Sequence, residues 1–281
     1  MATLIWTGGE SATTKTFMTA ANWGGTAPSN DDTLIINSSS DTIGGAATGL
    51  TGITFRVGSG FTGTIGSSTT YLDLDGPLCE FASGGTTAYL TGTWTNFRVT
   101  GGSASPLFLT LKGNASTAIT TLLASRLSGT VTVGSSAAVT TVQMNGSNVG
   151  TIDLASSITG LANITVTEGS VVCASTISGT ASVIGGSLRT SGTSAYPTIE
   201  IDTNGSCDYR SSGTITTLNI FDGVFTSRDN ETAGFTITTA NNYSGGRLLL
   251  DSALNNATVT NPISMLGGDA SFAVGSTISL G

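Results

Sequence analysis

Histidine is absent from this 281-residue chain, and charged side chains make up only 9% of it. The lack of histidine excludes Ser-His-Asp and Cys-His catalysis, imidazole acid–base chemistry and zinc sites that use histidine ligands. Nine Lys and Arg residues are scattered singly among seventeen Asp and Glu residues, so the net charge is −8. Because nucleic-acid binding requires a clustered positive surface, the sequence predicts no nucleic-acid partner.

Cysteines and long apolar runs are also scarce. Cys79, Cys173 and Cys207 fit no metal-binding spacing, and an odd number argues against a complete disulfide framework, so we interpret them as small buried apolar residues. No segment is apolar for long enough to span a membrane, and the first residues lack the basic start and apolar run of a secretory signal. We therefore expect a protein made in a cytoplasm, with no membrane partner and no cofactor.

The chain is instead rich in glycine, with 39 residues, and in short alternating strands. In the second half, a strand, a glycine step and a second strand recur with a period of roughly twenty residues, which is typical of one coil of a β-solenoid. The glycines that mark the steps are Gly169, Gly186, Gly205, Gly223, Gly246 and Gly268. The first half carries the same unit less regularly. The pattern predicts an all-β fold, a right-handed parallel β-helix.

Each unit has too few apolar side chains to form a core by itself, which favours stacking of the coils. Stacking would place matching aliphatic residues in one interior column, approximately Ile164, Val183, Ile201, Ile220 and Ile237. The alternative is a β-sandwich of antiparallel hairpins, for which Asn145-Gly146 and Asn204-Gly205 would be the turns.

Residues 1–36 differ from the repeating part. They contain Trp6, Phe17 and Trp23 and precede the first regular unit. Solenoids need a distinct cap that prevents the open edge of the first coil from pairing with other chains. We predict an N-terminal cap over 1–36 and a parallel β-helix over 37–281, with the three aromatic residues as cap and interface candidates.

The same segment carries a specific motif. Its parts are Ile5-Trp6-Thr-Gly-Gly9, then Phe17-Met-Thr-Ala-Ala-Asn22-Trp23, then Pro28-Ser-Asn-Asp31-Asp32 before a strand. This motif resembles the opening of autotransporter-like β-helix passengers and of many phage-encoded β-helical virion proteins. Since the chain shows neither the secretion signal nor the membrane barrel of autotransporters, we favour the phage family. The motif is structural, so the resemblance carries over no catalytic residue.

The resemblance implies a non-enzymatic virion structural protein. Among phage β-helical proteins of this size it is most similar to capsid decoration (cement) proteins, which implies a homotrimer bound to the major capsid protein, located in the virion. The alternative is a tail-fibre, spike or surface adhesin module that binds glycans. A third hypothesis is a polysaccharide lyase or hydrolase.

Carboxylates are the residues left for any catalysis. Polysaccharide hydrolysis requires two carboxyl groups facing one cleft, and calcium requires several oxygen ligands. Pairs two residues apart on a strand share one face. The pairs are Asp73 with Asp75, Glu200 with Asp202, and Asp229 with Glu231. Such pairs also mark the solvated face of an ordinary strand.

Aromatic residues provide the other candidate site. A sugar-binding platform and interior stacking both explain their positions. The densest group is Tyr71, Tyr89, Trp94 and Phe97, followed at wider spacing by Tyr196, Tyr209 and Tyr243.

The last residues, 270–281, alternate like a strand and contain no charge cluster or proline that would blunt a sheet edge. We expect this edge to be covered by symmetry mates or by the surface that the protein decorates. Phe272, Ile278 and Leu280 are the interface candidates.

Overall fold

The structure, a computed structural model, describes residues 1–44, 47–100, 106–146, 150–227, 234–251, 257–272 and 276–278. Within these ranges the secondary structure is almost entirely β, with one short 3₁₀ helix at Ala20–Trp23. No helix in the described ranges has the length and apolar character needed to cross a membrane.

The strands are short, and each is followed by a turn or corner. Numbered in chain order they are β1 (Thr3–Ile5), β2 (Thr14–Thr16), β3 (Thr33–Ser39), β4 (Thr42–Gly44), β5 (Ala47–Leu50), β6 (Thr54–Phe61), β7 (Thr64–Ile65), β8 (Leu72–Leu74), β9 (Gly76–Phe81), β10 (Thr87–Thr91), β11 (Thr93–Val99), β12 (Leu107–Leu111), β13 (Ala118–Ala124), β14 (Gly129–Val133), β15 (Ala138–Met144), β16 (Thr151–Leu154), β17 (Asn163–Val166), β18 (Ser170–Cys173), β19 (Thr180–Ile184), β20 (Ser187–Thr190), β21 (Tyr196–Asp202), β22 (Gly205–Asp208), β23 (Thr214–Ile220), β24 (Gly223–Thr226), β25 (Thr236–Tyr243), β26 (Gly246–Leu250), β27 (Thr258–Val259), β28 (Ser264–Leu266), β29 (Asp269–Phe272) and β30 (Thr277–Ile278).

The first of two compact units comprises residues 1–139 and 146–152. One of its sheets has the strand order β1-β3-β6-β9-β11-β13, and the other has the order β2-β4-β7-β10-β12-β14, with β8 joining β5 and β10. Neighbouring strands run parallel, as in β3 with β6 and β10 with β12. The chain passes back and forth between the two sheets, and each new strand pairs with a strand of the preceding coil. Each coil therefore stacks directly on the preceding one.

The second unit comprises residues 140–145 and 153–281. Its sheets follow the orders β15-β17-β19-β21-β23-β25-β27-β30 and β18-β20-β22-β24-β26-β29, and β28 also pairs with β25. These pairings are parallel too, as in β21 with β23 and β22 with β24. The predicted parallel β-solenoid is therefore confirmed, with about 10 turns. Its right-handed winding stays a prediction.

The β-sandwich alternative is wrong, and the turn at Asn204-Gly205 shows why. Thr203 and Asn204 adopt φ values of 46° and 63°, the left-handed conformation that a tight hairpin also requires. The turn nevertheless joins β21 to β22, which belong to different sheets. The same local conformation therefore forms a corner of a coil instead of a hairpin.

Alternate residues of each strand point into the coil and stack on their counterparts in the neighbouring coils. In the first unit one such buried column runs Leu34, Phe55, Cys79, Phe97 and Leu122. Burial of each large apolar side chain contributes about 1.5–3 kcal/mol before the entropy of ordering the chain is subtracted.

In the second unit the predicted aliphatic column is interior. Val183, Ile201 and Ile220 lie opposite one another as predicted, whereas Ile164 and Ile237 lie in other columns. Ile164 lies opposite Ala181, and Val183 lies opposite Ile201 in a neighbouring column. Ile237 lies opposite Ile215 in a third column. Because side chains alternate with a period of two, the two-residue offset of Ile164 leaves it on the inward face.

The three cysteines are free and buried, as predicted. Cys79 stacks between Phe55 and Phe97, and Cys207 stacks between Leu188 and Phe225. Burial raises the pKa of each thiol above its ordinary value. Since the thiolate is the reactive form, these groups are chemically inert packing residues.

Candidate functional site

The three N-terminal aromatic residues form one buried cluster. The ring centroids of Trp6 and Trp23 are 5.0 Å apart, and those of Phe17 and Trp23 are 5.2 Å apart, both in edge-to-face geometry. The indole N–H of Trp6 donates to Asp41 Oδ2 at 2.9 Å, and that of Trp23 donates to the Phe17 carbonyl oxygen at 2.5 Å. These side chains fill the core and are not available on the surface.

Asn22, the middle residue of the Ala-Asn-Trp motif, is completely buried and explains the motif physically. Its side-chain oxygen accepts from the Glu10 backbone N–H at 2.8 Å, and its amide nitrogen donates to Glu10 Oε2 and to the Thr16 carbonyl oxygen. A hydrogen bond from the Thr16 backbone N–H, followed by that from Asn22, lowers the pKa of Glu10. The motif therefore fixes a loop.

The predicted cap segment also contributes strands to both sheets. β1 pairs with β3, and β2 pairs with β4, in parallel register. Residues 1–36 thus contain the first strand of each sheet together with the aromatic cluster.

Asp32 closes this segment, and its carboxylate is almost fully buried. It accepts hydrogen bonds from the Ala2 backbone N–H at 2.6 Å and from the Ser29 backbone N–H and hydroxyl at 3.0 and 2.9 Å. Burial alone would raise the pKa of Asp32, but these hydrogen bonds outweigh it and lower the pKa below its usual value of 3.8. The folded state therefore favours the ionised carboxylate.

We expect D32N to lower the free energy of unfolding by about 1–3 kcal/mol at neutral pH, because one amide oxygen cannot accept from three donors. A carboxyl group whose pKa is lowered by folding stabilises the protein above its unfolded pKa and ceases to do so as the pH falls through the folded value. The difference between D32N and the unaltered protein should therefore shrink below about pH 4, the ordinary carboxylate range. Urea unfolding at pH 7 and pH 2.5 measures it.

D31N is the matched control for this test. Asp31 is exposed and has a φ of 64°, a conformation that asparagine tolerates. We expect D31N to change the unfolding free energy by less than about 0.5 kcal/mol. A D32N deficit that stays constant with pH would contradict the assigned role of the charge.

The C-terminal interface candidates are described in part. Phe272 lies in β29 opposite Leu250 and is 40% exposed. Ile278 lies in β30, opposite Val259. Leu280 lies outside the described residues.

In the two carboxylate pairs that the structure describes, the members of each pair lie in different surroundings. Asp75 Oδ1 accepts a hydrogen bond from the Thr93 backbone N–H at a corner, whereas Asp73 lines a surface pocket. Asp202 is exposed and accepts from its neighbour Thr203, and Glu200 is half-buried. Residues 229 and 231 lie outside the described part of the chain, in which no three His, Cys, Asp or Glu side chains group to hold a metal ion.

The predicted aromatic group divides between the core and the surface. Trp94 and Phe97 are buried against each other at 6.3 Å, while Tyr71 and Tyr89 meet edge to face at 5.9 Å on the outer side of the second sheet of the first unit. Of the later tyrosines, Tyr196 and Tyr209 are buried in the core. Tyr243 is half-buried and stacks on exposed Phe221.

Tyr71 borders a surface pocket that the strand register builds. Three short segments align on their buried leucines, since Leu72 lies opposite Leu90 and Leu90 lies opposite Leu111. The residues on either side of these leucines form two outward columns. The segments are Tyr71-Leu72-Asp73, Tyr89-Leu90-Thr91 and Thr110-Leu111-Lys112.

We call the resulting cavity the Tyr71 pocket. Its volume is about 230 Å³. It is lined by Thr69, Thr70, Tyr71, Asp73, Thr91, Lys112, Asn114 and Ser116.

Opposite charges face each other across the Tyr71 pocket. Burial and then the negative charge of Asp75 raise the pKa of Asp73, and Lys112 opposes this shift. The Lys112 ammonium lies 5.5 Å from the centre of the Tyr71 ring, a cation–π contact. The floor is fixed by a hydrogen bond of 3.0 Å between the hydroxyls of Thr91 and Thr117.

The sequence did not identify Lys112 and Asn114 as site residues, because in the sequence Lys112 is one of several isolated basic residues. The signal that identifies them is the alignment of the three leucine-centred segments. That alignment depends on the register of β8, β10 and β12, since the chain between these strands varies in length.

Comparison with known proteins gives no identification: no family model, curated protein or solved structure matches this chain.

Proposed function

We propose that this chain is a non-enzymatic structural protein of a bacteriophage particle, and specifically a capsid decoration protein. The observation that carries the proposal is the stacking of parallel coils around buried aliphatic and aromatic columns. Such stacks hold their outer faces in fixed positions, because each coil is hydrogen-bonded to its neighbours along both sheets. The motif at residues 5–32, whose residues fix the first coil, supports the same assignment.

The mechanism would be mechanical. A homotrimer of this chain binding the outer capsid would multiply many modest contacts by symmetry, and the linked contacts would produce avidity. Exposed apolar side chains such as Leu266 and Phe272 are suitable contact residues, since both stand on the outside of the second unit. Capsid subunits bridged in this way would dissociate less readily, and the capsid shell would resist expansion.

Purified particles test this role directly. We expect the chain to be a stoichiometric component by mass spectrometry and to occupy density at the three-fold positions of the capsid in cryo-electron microscopy. In solution, sedimentation should give three times the chain mass of 28.0 kDa. Absence of the chain from the particles, or density confined to the tail, would contradict the decoration role.

A variant sharpens the test. F272D places a charge at an exposed apolar position and should reduce rebinding to stripped capsids by about tenfold, the effect of losing one contact of about 1.4 kcal/mol. F108D is the matched control, because Phe108 is 51% exposed and lies in the first unit. Equal rebinding of the two variants would remove Phe272 from the interface.

The second candidate is a tail-fibre, spike or surface adhesin module that binds glycans. The Tyr71 pocket favours it, because an aromatic ring beside hydroxyl, amide and charged groups is suited to polyhydroxylated ligands. Density at the tail would select this candidate over the first.

A further inference from the structure

We infer that the Tyr71 pocket binds one ring of a neutral saccharide. The inference deepens the second candidate role by naming the residues and the ligand class. Saccharide binding can be measured on the purified protein, so the result does not depend on where the chain is located in a particle.

The size of the pocket limits the ligand. Sites for drug-sized molecules span about 300–1,000 Å³, and the Tyr71 pocket, at about 230 Å³, is smaller. It therefore holds a single ring-sized unit, and the rest of a longer ligand would lie along the exposed residues Thr69, Thr70 and Ser116 at its border.

The Tyr71 ring supplies the apolar wall. The face of an aromatic ring carries partial negative charge and attracts groups with a positive edge. The C–H bonds on one face of a pyranose ring are such groups. Tyr89 packs its ring edge to face with Tyr71 and holds that ring in place.

The polar side chains of the pocket include both donors and acceptors of hydrogen bonds, as sugar hydroxyls require. The Asp73 carboxylate accepts, the Lys112 ammonium donates, and the Asn114 amide does both. Hydroxyls on opposite sides of one sugar ring can donate to a carboxylate and accept from an ammonium at the same time. Asp73 and Lys112 lie on either side of Thr91 in one outward column, two strand spacings or roughly 10 Å apart along the stack, which suits such a pair of hydroxyls.

Other ligand classes fit the Tyr71 pocket less well. An anion such as phosphate would meet Asp73 within the pocket and a net charge of −8 on the chain. A metal ion needs several converging oxygen ligands, usually with more than one carboxylate, and Asp73 is the one carboxylate among the described residues that line the pocket. An apolar ligand would desolvate the Asp73 carboxylate and the Lys112 ammonium without offering either a hydrogen bond.

Lys112 is free to turn toward a ligand. Its side chain is exposed, and a cation–π contact at an exposed site is a weak restraint. On binding, the ammonium can leave the Tyr71 ring for a sugar hydroxyl and uncover the ring face for the C–H bonds. The saccharide therefore replaces the cation–π contact of the free protein.

Isothermal titration calorimetry with defined oligosaccharides tests the inference. The probes are maltoheptaose and N-acetylchitohexaose as neutral arms and an oligogalacturonate as the anionic arm. We expect at least one neutral probe to bind, and Y71A and D73N each to weaken its binding by about tenfold, in line with loss of an aromatic stack or of a charged hydrogen-bond acceptor.

Y243A is the matched control, since Tyr243 is a half-buried surface tyrosine of the second unit, and it should leave the affinity unchanged. Circular dichroism establishes that each variant is folded, and D73N, which keeps the side-chain shape, decides the matter if Y71A does not fold. Failure of both neutral probes to bind, binding of the anionic probe alone, or binding that D73N leaves intact would each overturn the inference.

Discussion

Replacement of Phe55 by alanine should lower the free energy of unfolding by about 3–5 kcal/mol, the largest loss that we expect from one side-chain truncation in this chain. Phe55 is completely buried. Its ring lies 6.1 Å from that of Phe17 and 6.2 Å from that of Phe81, so it joins the N-terminal cluster to the rings of later coils. Truncation removes apolar burial and both ring contacts and leaves a cavity between coils that are fixed by their backbone hydrogen bonds.

The matched control is F108A, the same substitution at a residue that is 51% exposed. We expect it to cost less than about 1 kcal/mol, because no cavity forms. Urea unfolding followed by near-ultraviolet circular dichroism measures both variants. Similar losses at the two positions would show that the aromatic column does not stabilise the solenoid.

G223A should be nearly as damaging, for a backbone reason. Gly223 has a φ of 141° and stacks directly between Gly205 and Gly246 of the adjoining coils. A Cβ atom there would lie 2.4 Å from the Gly205 carbonyl oxygen, which is held in the parallel ladder. We expect a loss of about 2–5 kcal/mol, from backbone strain together with overpacking.

G25A separates these two causes. Gly25 also has a positive φ, 99°, but a Cβ atom there would contact nothing within 4 Å. It should lose only the conformational term, about 1–2 kcal/mol. If G25A destabilised the protein as much as G223A in thermal and urea unfolding, the close approach of the coils at Gly223 would not be the cause.

The corner glycines illustrate how far the sequence predicts the fold. Their recurrence indicated the coil, and Gly205, Gly223 and Gly246 do stack. The reason for glycine differs among them, however. Gly223 combines a positive φ with a close contact, whereas Gly205 does not have a positive φ but would bring a Cβ atom within 2.3 Å of the Val183 carbonyl oxygen. Distances between coils cannot be read from a sequence.

The sequence also predicted only part of the candidate site, because the positions of residues relative to other coils cannot be read from it. Tyr71, Tyr89 and Asp73 were identified by residue type, since exposed aromatic rings and carboxylates are typical of ligand sites. Trp94 and Phe97 were grouped with them by proximity in the sequence, but they point into the core. Whether an aromatic residue faces inward depends on its position relative to the period of two in its own strand.

The sequence by itself determined the all-β coil, the inward-facing aliphatic residues of the second unit and the burial of the cysteines, because local periodicity and composition encode which face of a strand is apolar. Only the tertiary structure decided which coil residues lie opposite one another. Parallel pairing joins segments separated by connections of variable length, so register is set by packing of the whole stack. That register aligns Lys112 with Asp73 across Thr91 and brings the Lys112 ammonium to the Tyr71 ring, and the pocket exists because of it.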